Sequence, residues 1–230
     1  MGLWTPAKKR RMWQSRVDFT HQLVSHLGTW RPDNRPKVLI CASGIGFYGD
    51  RDDERLTETS VKGEGFLADI CQGWEEAARE AERLDIRVVN IRSGMVLAAD
   101  GGALPLLRRV FSWGLGGELG SGQQWTSWIH LSDEAALILW AVSNEHIKGP
   151  INACAPSGVT NAEFTQLLAK KLKRPAFLHV PAFALRLLMP GMAREMLLCS
   201  QHASPRVPLD LGYTFSHPDL EGALASLIED

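Results

Sequence analysis

The sequence lacks the marks of several classes of protein. Its four cysteines are Cys41, Cys71, Cys154 and Cys199. No two of them form a CxxC pair, and three of the four lie in apolar surroundings. We therefore expect small buried thiols in a reducing compartment, not disulfides. Basic and acidic residues balance, 25 against 26, which gives no support for nucleic-acid binding. No apolar run approaches the ~20 residues that span a bilayer and no signal peptide precedes the fold, so we expect a cytoplasmic protein without a membrane partner.

Motifs of hydrolysis and of metal binding are also missing. The sequence has no GxSxG elbow and no obvious paired-carboxylate motif, and His130 has no second histidine at metal-ligand spacing. We therefore expect no metal site. The chain has 230 residues and is 45% hydrophobic, which is enough to bury a sizeable core in one large domain or in one domain with a lobe.

The most informative segment is 37–50, KVLICASGIGFYGD, in which an apolar run breaks into a glycine-rich turn. Residues 38–42 predict a buried strand with Ser43 at its carboxyl end, the edge where open α/β sheets bind ligands. Three glycines let a flat ligand approach the backbone: Gly44, Gly46 and Gly49. Ser43 either hydrogen-bonds a substrate during hydride transfer or only satisfies the strand exit, and Tyr48 is either a reactive phenol or a core aromatic.

The order of the elements predicts a doubly wound parallel sheet. A helix over 65–84 separates the first strand from a second buried strand over 87–91, and such a crossover is right-handed and parallel. Further elements are expected as helices over 5–27, 103–113, 132–143, 160–172 and 218–228, and as a strand over 149–154. The predicted helix caps are Thr5, Ser132 with Asp133, and Thr160 with Glu163. The inward stripe of the first helix is expected to hold Met12, Phe19, Leu23 and Leu27.

Two further segments carry candidate chemistry. Arg92 ends the second strand at the ligand edge, where it either faces a cofactor or clamps loop carbonyls; Ser93 and Gly94 follow it. Trp128 offers a flat face with an indole donor, and His130 offers a titratable ring. A histidine just before a helix is also common as a structural hydrogen-bonding group, so both interpretations of His130 stay open.

Several motifs along the chain carry a resemblance to a known family: ASGIGFYGD, FLADICQGWEEAA, IRSGMVLAADGGAL, GLGGELGSGQQWTSWIHLSDEA, PSGVTNAEF and PRVPLDLGYTFSHPDLEGAL. They resemble the sugar-nucleotide-epimerase-like branch of the extended short-chain dehydrogenase/reductase superfamily. The resemblance implies an α/β fold: an incomplete Rossmann-type doubly wound parallel sheet with a small C-terminal substrate lobe. Residues 1–150 would form a partial dinucleotide-binding domain, and residues 151–230 the C-terminal substrate-side lobe with the family's terminal domain.

The resemblance also implies roles for individual residues. A bound NADP or NAD would contact Ser43, Gly44, Arg92, Ser93 and Gly94. Trp128 and His130 would lie on the substrate side. The catalytic candidates are Ser43, which would orient the substrate, and Tyr48 or His130 as proton donor.

Two departures from the family pattern lower the expected activity. The family carries a Tyr-x-x-x-Lys pair on the helix after the Ser43 strand, but residues 65–84 contain neither tyrosine nor lysine, and Leu67 and Cys71 take those positions. The family's opening strand and G-x-x-G-x-x-G turn, which hold the pyrophosphate, are also missing, so we expect an N-terminally shortened form.

The sequence therefore supports two hypotheses. The first is a nicotinamide-dinucleotide-binding epimerase or reductase-like protein that acts on a small sugar-like or carbonyl substrate, such as a sugar nucleotide, with weakened or no turnover. The second is a non-catalytic interaction module. In it, a partner chain or a second copy covers the exposed edge of the first strand.

Overall fold

The computed structural model describes residues 4–228. The strands are β1 (Val38–Gly44), β2 (Arg55–Leu56), β3 (Arg87–Ser93), β4 (Met95–Leu97), β5 (Gly117–Leu119), β6 (Trp125–Thr126), β7 (Trp128–His130), β8 (Gly149–Ala153), β9 (Val159–Thr160), β10 (Leu178–Val180) and β11 (His202–Ala203). The α-helices are α1 (Pro6–Trp13), α2 (Phe19–Gly28), α3 (Phe66–Arg79), α4 (Leu104–Ser112), α5 (Leu131–Ser143), α6 (Asn161–Leu172), α7 (Ala182–Leu188), α8 (Pro190–Met192), α9 (Arg206–Asp210) and α10 (Leu220–Leu227).

The central sheet has three parallel strands in the order β1-β3-β8. Ser43 pairs with Arg92 and Gly44 with Ser93, so both strands end at the same edge. The predicted parallel crossover through α3 is confirmed, as is the α/β, Rossmann-type class of the fold. The second strand runs two residues beyond its predicted end, and the segment 50–64 contains the short strand β2, which pairs with β11.

Helices cover both faces of this sheet. Helices α2 and α3 pack on one face, where Val88 of β3 is buried, and α5 packs on the other face, against Val89. A strand covered on both sides reads as a continuous apolar run, which is why RVVNI signals a central strand. Each fully buried valine contributes about 1.5–3 kcal/mol relative to an exposed one.

The first helix is not the uniform helix that the sequence predicted. Thr5 caps it as expected, accepting from the Lys8 amide at 3.2 Å, but a π-helical turn over Gln14–Asp18 separates α1 from α2. This turn holds an extra residue, which rotates the following side chains relative to a regular helix. Val17 consequently points inward, whereas Phe19, predicted to face the core, is 60% exposed.

The C-terminal half forms a second core beside the sheet. Trp128, Phe164 and Leu168 pack there with residues of α4 and α10, and the parallel β5–β10 pair lies at its side. Thr160 and Glu163 form the predicted capping box of α6. The predicted cap of α5 is wrong: the His130 side chain accepts from the Ser132 amide, so α5 begins at Leu131.

Candidate functional site

A cleft of about 460 Å³ lies beside the carboxyl end of β1. It separates the turn after β1 and the start of α3 from the C-terminal segment that follows α8. Its lining residues are Gly46, Gly49, Asp50, Arg51, Lys62, Gly63, Glu64, Gly65, Leu67, Arg194, Glu195 and Cys199. This is the sheet edge at which the sequence predicted a ligand.

Glycines let the backbone segments around this cleft approach one another closely without side chains filling the space. Gly49 has φ +64°, a left-handed conformation that favours glycine. A Cβ atom on Gly63 would lie 1.9 Å from the Tyr48 carbonyl oxygen, and a Cβ on Gly46 would lie 3.1 Å from the Leu67 Cβ. Side chains at these positions would therefore collide with the backbone or fill the space that the cleft provides.

A buried ion pair between Glu75 and Arg92 holds the Ser43 hydroxyl in place. The Ser43 hydroxyl donates to the Glu75 Oε1 atom at 2.8 Å. Arg92 forms a bidentate pair with the same carboxylate, with Nε 2.8 Å from Oε1 and Nη2 2.9 Å from Oε2. Since the Ser43 hydrogen is engaged by Glu75, the hydroxyl presents an acceptor to its other neighbours. Arg92 is thus a clamp on Glu75, with its guanidinium carbon 3.5 Å from the centre of the Phe47 ring.

Tyr48 belongs to the same buried network. Its hydroxyl donates to the Asn152 Oδ1 atom at 2.6 Å and accepts from Arg92 Nη1 at 3.0 Å. The side chain is fully buried, and this burial raises the pKa of Tyr48 to about 12 against the opposing effect of Arg92. In this arrangement the phenol is a core aromatic with both hydrogen-bonding directions occupied.

A carboxyl group closes the network. Glu58 Oε1 accepts from the amides of Asn152 and Val207, at 3.0 and 3.2 Å. Burial raises the pKa of Glu58 above its ordinary value, although these amide bonds oppose the shift. Its Oε2 atom is buried and has no hydrogen-bond partner among the described residues.

Ser93 and Gly94 are also engaged within the protein. The Ser93 hydroxyl donates to Glu134 of α5. The Gly94 amide donates to the Ala153 carbonyl at 2.9 Å, and a Cβ at this position would lie 2.7 Å from the Ser127 carbonyl oxygen. Gly94 therefore allows two strands to approach closely, and its amide is not directed at the cleft.

Trp128 and His130 lie apart from the cleft. Trp128 is fully buried and donates its indole N–H to the Ser157 carbonyl at 3.1 Å. His130 stacks on His217 with 3.8 Å between ring centres, and its Nε2 atom lies 3.3 Å from the Ser226 hydroxyl. Burial and the neighbouring His217 lower the pKa of His130, so the ring is neutral at pH 7. These contacts join α5 to the C-terminal segment.

Charged residues from distant parts of the chain, which the sequence did not single out, meet in the cleft. The Glu195 carboxylate accepts from the Leu67 amide at 2.7 Å and so caps the start of α3 from the opposite wall. Lys62 pairs with Asp69 at 2.6 Å, and Arg194 is exposed beside Glu195. No local pattern could have found Glu195, because 128 residues separate it from Leu67.

Leu67 and Cys71 lie on the site side of α3, one helical turn apart. Leu67 lines the cleft, and the Cys71 thiol lies near Ser43. Burial raises the pKa of the Cys71 thiol, the contact with the Ser43 hydroxyl lowers it, and the Glu75 charge raises it. Neither side chain is suited to exchange a proton at neutral pH. Within residues 4–228, no three His, Cys, Asp or Glu side chains are arranged to hold a metal ion, and no helix is long and apolar enough to cross a bilayer.

A parallel sheet with helices on both faces and a cleft at its carboxyl edge defines a Rossmann-type α/β class of protein. Residues 180–227 match a family described as "Domain of unknown function (DUF1731)". The chain is 38% identical over 226 residues to "Epimerase family protein SDR39U1 homolog, chloroplastic" of Arabidopsis thaliana, covering 98% of this chain and 65% of that protein. It is 37% identical to "Epimerase family protein ML0860" of Mycobacterium leprae, covering 96% of this chain and 71% of that protein.

Solved structures give the same assignment. Human epimerase family protein SDR39U1, crystallised with NADPH, superposes with a TM-score of 0.89 at 33% identity, over 98% of this chain and 76% of that one. A nucleoside-diphosphate sugar epimerase from Corynebacterium glutamicum gives a TM-score of 0.80 at 36% identity, over 98% and 44% of the two chains. The chain belongs to this epimerase family of extended short-chain dehydrogenase/reductase proteins. It spans about two thirds to three quarters of the length of the curated relatives it matches.

Proposed function

We propose that this chain binds NADP or NAD weakly at the carboxyl edge of β1 and β3, and that its cleft receives a small sugar-like or carbonyl substrate. The observation that carries the proposal is the glycine-bounded cleft formed by the turn that follows Ser43 at this edge. Cβ atoms on Gly46 and Gly49 would crowd Leu67 and the Glu64 backbone, so glycine at both positions keeps this wall of the cleft thin enough for a flat ring to approach the backbone. A bound nicotinamide would supply hydride transfer, and Ser43 would orient the substrate by accepting a hydrogen bond.

The relatives support this proposal. The human family member was crystallised with NADPH, and the Corynebacterium protein is described as a nucleoside-diphosphate sugar epimerase. We extend cofactor binding and a sugar-nucleotide substrate to this chain on that basis. Residues 1–150 would hold the cofactor, with residues 151–230 on the substrate side. A cytoplasmic location stays a prediction from the sequence.

We propose further that turnover is low or absent. Leu67 and Cys71 stand where family enzymes place their Tyr-x-x-x-Lys pair, and neither delivers a proton at neutral pH. Tyr48 does not take over the role of proton donor, because its hydroxyl is hydrogen-bonded to Asn152 and Arg92 in the core. His130 is directed at Ser226, away from the cleft, so it would need a rearrangement to act as proton donor.

Cofactor binding tests the proposal directly. We would titrate NADPH and NADH against the whole chain and follow nucleotide fluorescence. We expect weak, saturable binding, because residues 4–37, which precede β1, form helices and contain no strand followed by a G-x-x-G-x-x-G turn that could hold the pyrophosphate at this edge. Leu67→Trp should abolish binding by filling the cleft, and Leu211→Trp, on an exposed site elsewhere, should not. Absence of any binding, or equal binding by Leu67→Trp, would contradict the cleft assignment; micromolar affinity would contradict the proposed weakening.

The open edge of the sheet supports the second hypothesis, an interaction module. Within the described residues, β1 pairs only with β3, which leaves a row of backbone groups unpaired on its other side. Helix α5 packs on β1, and its Leu139 and Val142 are exposed. We propose a second copy or a partner strand on this edge as the alternative function. Light scattering on the purified chain tests it: self-association that Ala42→Lys abolishes supports the edge, and a monomer at all concentrations contradicts pairing between copies.

A further inference from the structure

The C-terminal half presents an exposed surface that is both basic and apolar, well separated in sequence from β1. It comprises residues 101–117 and 171–188, which contain six Lys and Arg but no Asp or Glu. The whole chain has a net charge of −1, so this surface is set against an acidic remainder. We call it the basic apolar surface.

Large apolar side chains project from this surface. The residues concerned are Trp113, Leu115, Phe177, Phe183, Leu187 and Leu188, each more than half exposed; Leu187 is 80% exposed. Scattered single apolar residues are common on soluble proteins, but six large ones within two short segments form a patch that indicates an interaction site.

The β5–β10 pair joins the two segments. Phe177 lies just before β10 at the register of Gly116, so Leu115 and Phe177 lie at the same end of this ribbon. Helix α7 begins two residues after β10, and Leu178, the first residue of β10, is exposed. Leu185 packs inward while Phe183 and Leu187, four residues apart, share the outer face of α7.

Three of the arginines on this surface are available to an external partner. Arg109, Arg174 and Arg186 are exposed, and within residues 4–228 none of them pairs with a carboxylate. A second copy docked through the same surface would bring these like charges together. Charge complementarity therefore calls for an anionic partner that also accepts apolar side chains.

We propose that the basic apolar surface binds the interface of an anionic lipid bilayer. Aromatic and leucine side chains would enter the boundary between headgroups and acyl chains, and the arginines would contact lipid phosphates. Such peripheral attachment needs no membrane-spanning helix. It revises the expectation, drawn from the sequence, that the protein has no membrane partner, and it does not depend on the proposed function.

Vesicle sedimentation tests the proposal on the whole chain. We expect binding to vesicles of phosphatidylcholine mixed with phosphatidylserine, little binding to phosphatidylcholine alone, and loss of binding at high salt. Arg174→Glu/Arg186→Glu should weaken binding by more than roughly 25-fold, since each cation near an anionic surface contributes about a factor of five and each new carboxylate is also repelled by the lipid phosphates. Phe183→Ser/Leu187→Ser should weaken it by at least about tenfold through lost apolar burial.

The control is Arg10→Glu/Arg11→Glu, which reverses two exposed charges in α1. This variant should keep most of the binding. Circular dichroism should show an unchanged fold in all three variants, because every substituted side chain is exposed. The proposal is overturned if the native chain does not sediment with the anionic vesicles, if the α1 control is as damaging as the Arg174 and Arg186 pair, or if the serine variant binds normally.

Discussion

The buried ion pair between Arg92 and Glu75 allows a sharp test of what supports Ser43. Their side chains are 5% and 2% exposed, and two hydrogen bonds of 2.8 and 2.9 Å join them. Removing one member leaves the other charge buried without a partner, which costs about 3–5 kcal/mol. A domain is stable by only about 5–15 kcal/mol, so Arg92→Met should shift its unfolding visibly.

Urea unfolding of the whole chain measures this cost. We expect a large loss for Arg92→Met and for Glu75→Leu, and a much smaller loss for the double variant, because it removes both charges together. The exposed pair Lys170–Glu221 is the control, and Lys170→Met should cost no more than about 1 kcal/mol. If either buried single variant costs under about 1 kcal/mol, or if the double variant costs the sum of the two, the ion pair does not stabilise the site.

Four further outcomes are expected. His130 caps α5 only when Nδ1 is unprotonated, and its pKa is lowered in the folded state, so the stability that the cap contributes is complete above about pH 6.5 and is lost as the pH falls below it. His130→Asn should therefore reduce the pH dependence of the thermal unfolding midpoint over that range. An unchanged pH dependence would refute the cap. Gly63→Ala should destabilise by about 1–3 kcal/mol or more because its Cβ meets the Tyr48 carbonyl, whereas Gly101→Ala, with open space around it, should be silent in the same melts. All four cysteines are buried and free, and burial raises their pKa values, so a thiol reagent should react only after urea is added; rapid labelling of the folded chain would contradict this. Thr160→Ala should cost about 1 kcal/mol through loss of the capping box, checked by urea unfolding.

Local patterns predicted the framework of this molecule well. The apolar runs around Cys41 and Val88 gave two parallel strands, because fully covered strands have no polar alternation. The capping box at Thr160 was also readable, since its partners lie three residues apart. The π-helical turn before Phe19 was not, because it changes the helical phase without any distinctive residue.

The site was predictable in position but not in its contacts. Ser43 and Arg92 were placed correctly at one sheet edge, yet their common partner Glu75 faces them from a helix and has no local signal. For α5 the sequence predicts Ser132 and Asp133 as the cap, because serine and aspartate are the usual capping residues, and this prediction is wrong. Here Asp133 instead accepts from the amides of Ser216 and His217, and His130 takes the capping role.

The contact between Glu195 and the Leu67 amide spans the cleft from one wall to the other. Widening the cleft separates this carboxylate from the helix start, and loss of such a cap costs about 0.5–2 kcal/mol. That cost is small beside global unfolding, so breaking this one contact would widen the cleft while its walls stay folded. A ligand that enters through the widened cleft would therefore bind and leave at rates set by how often the contact breaks.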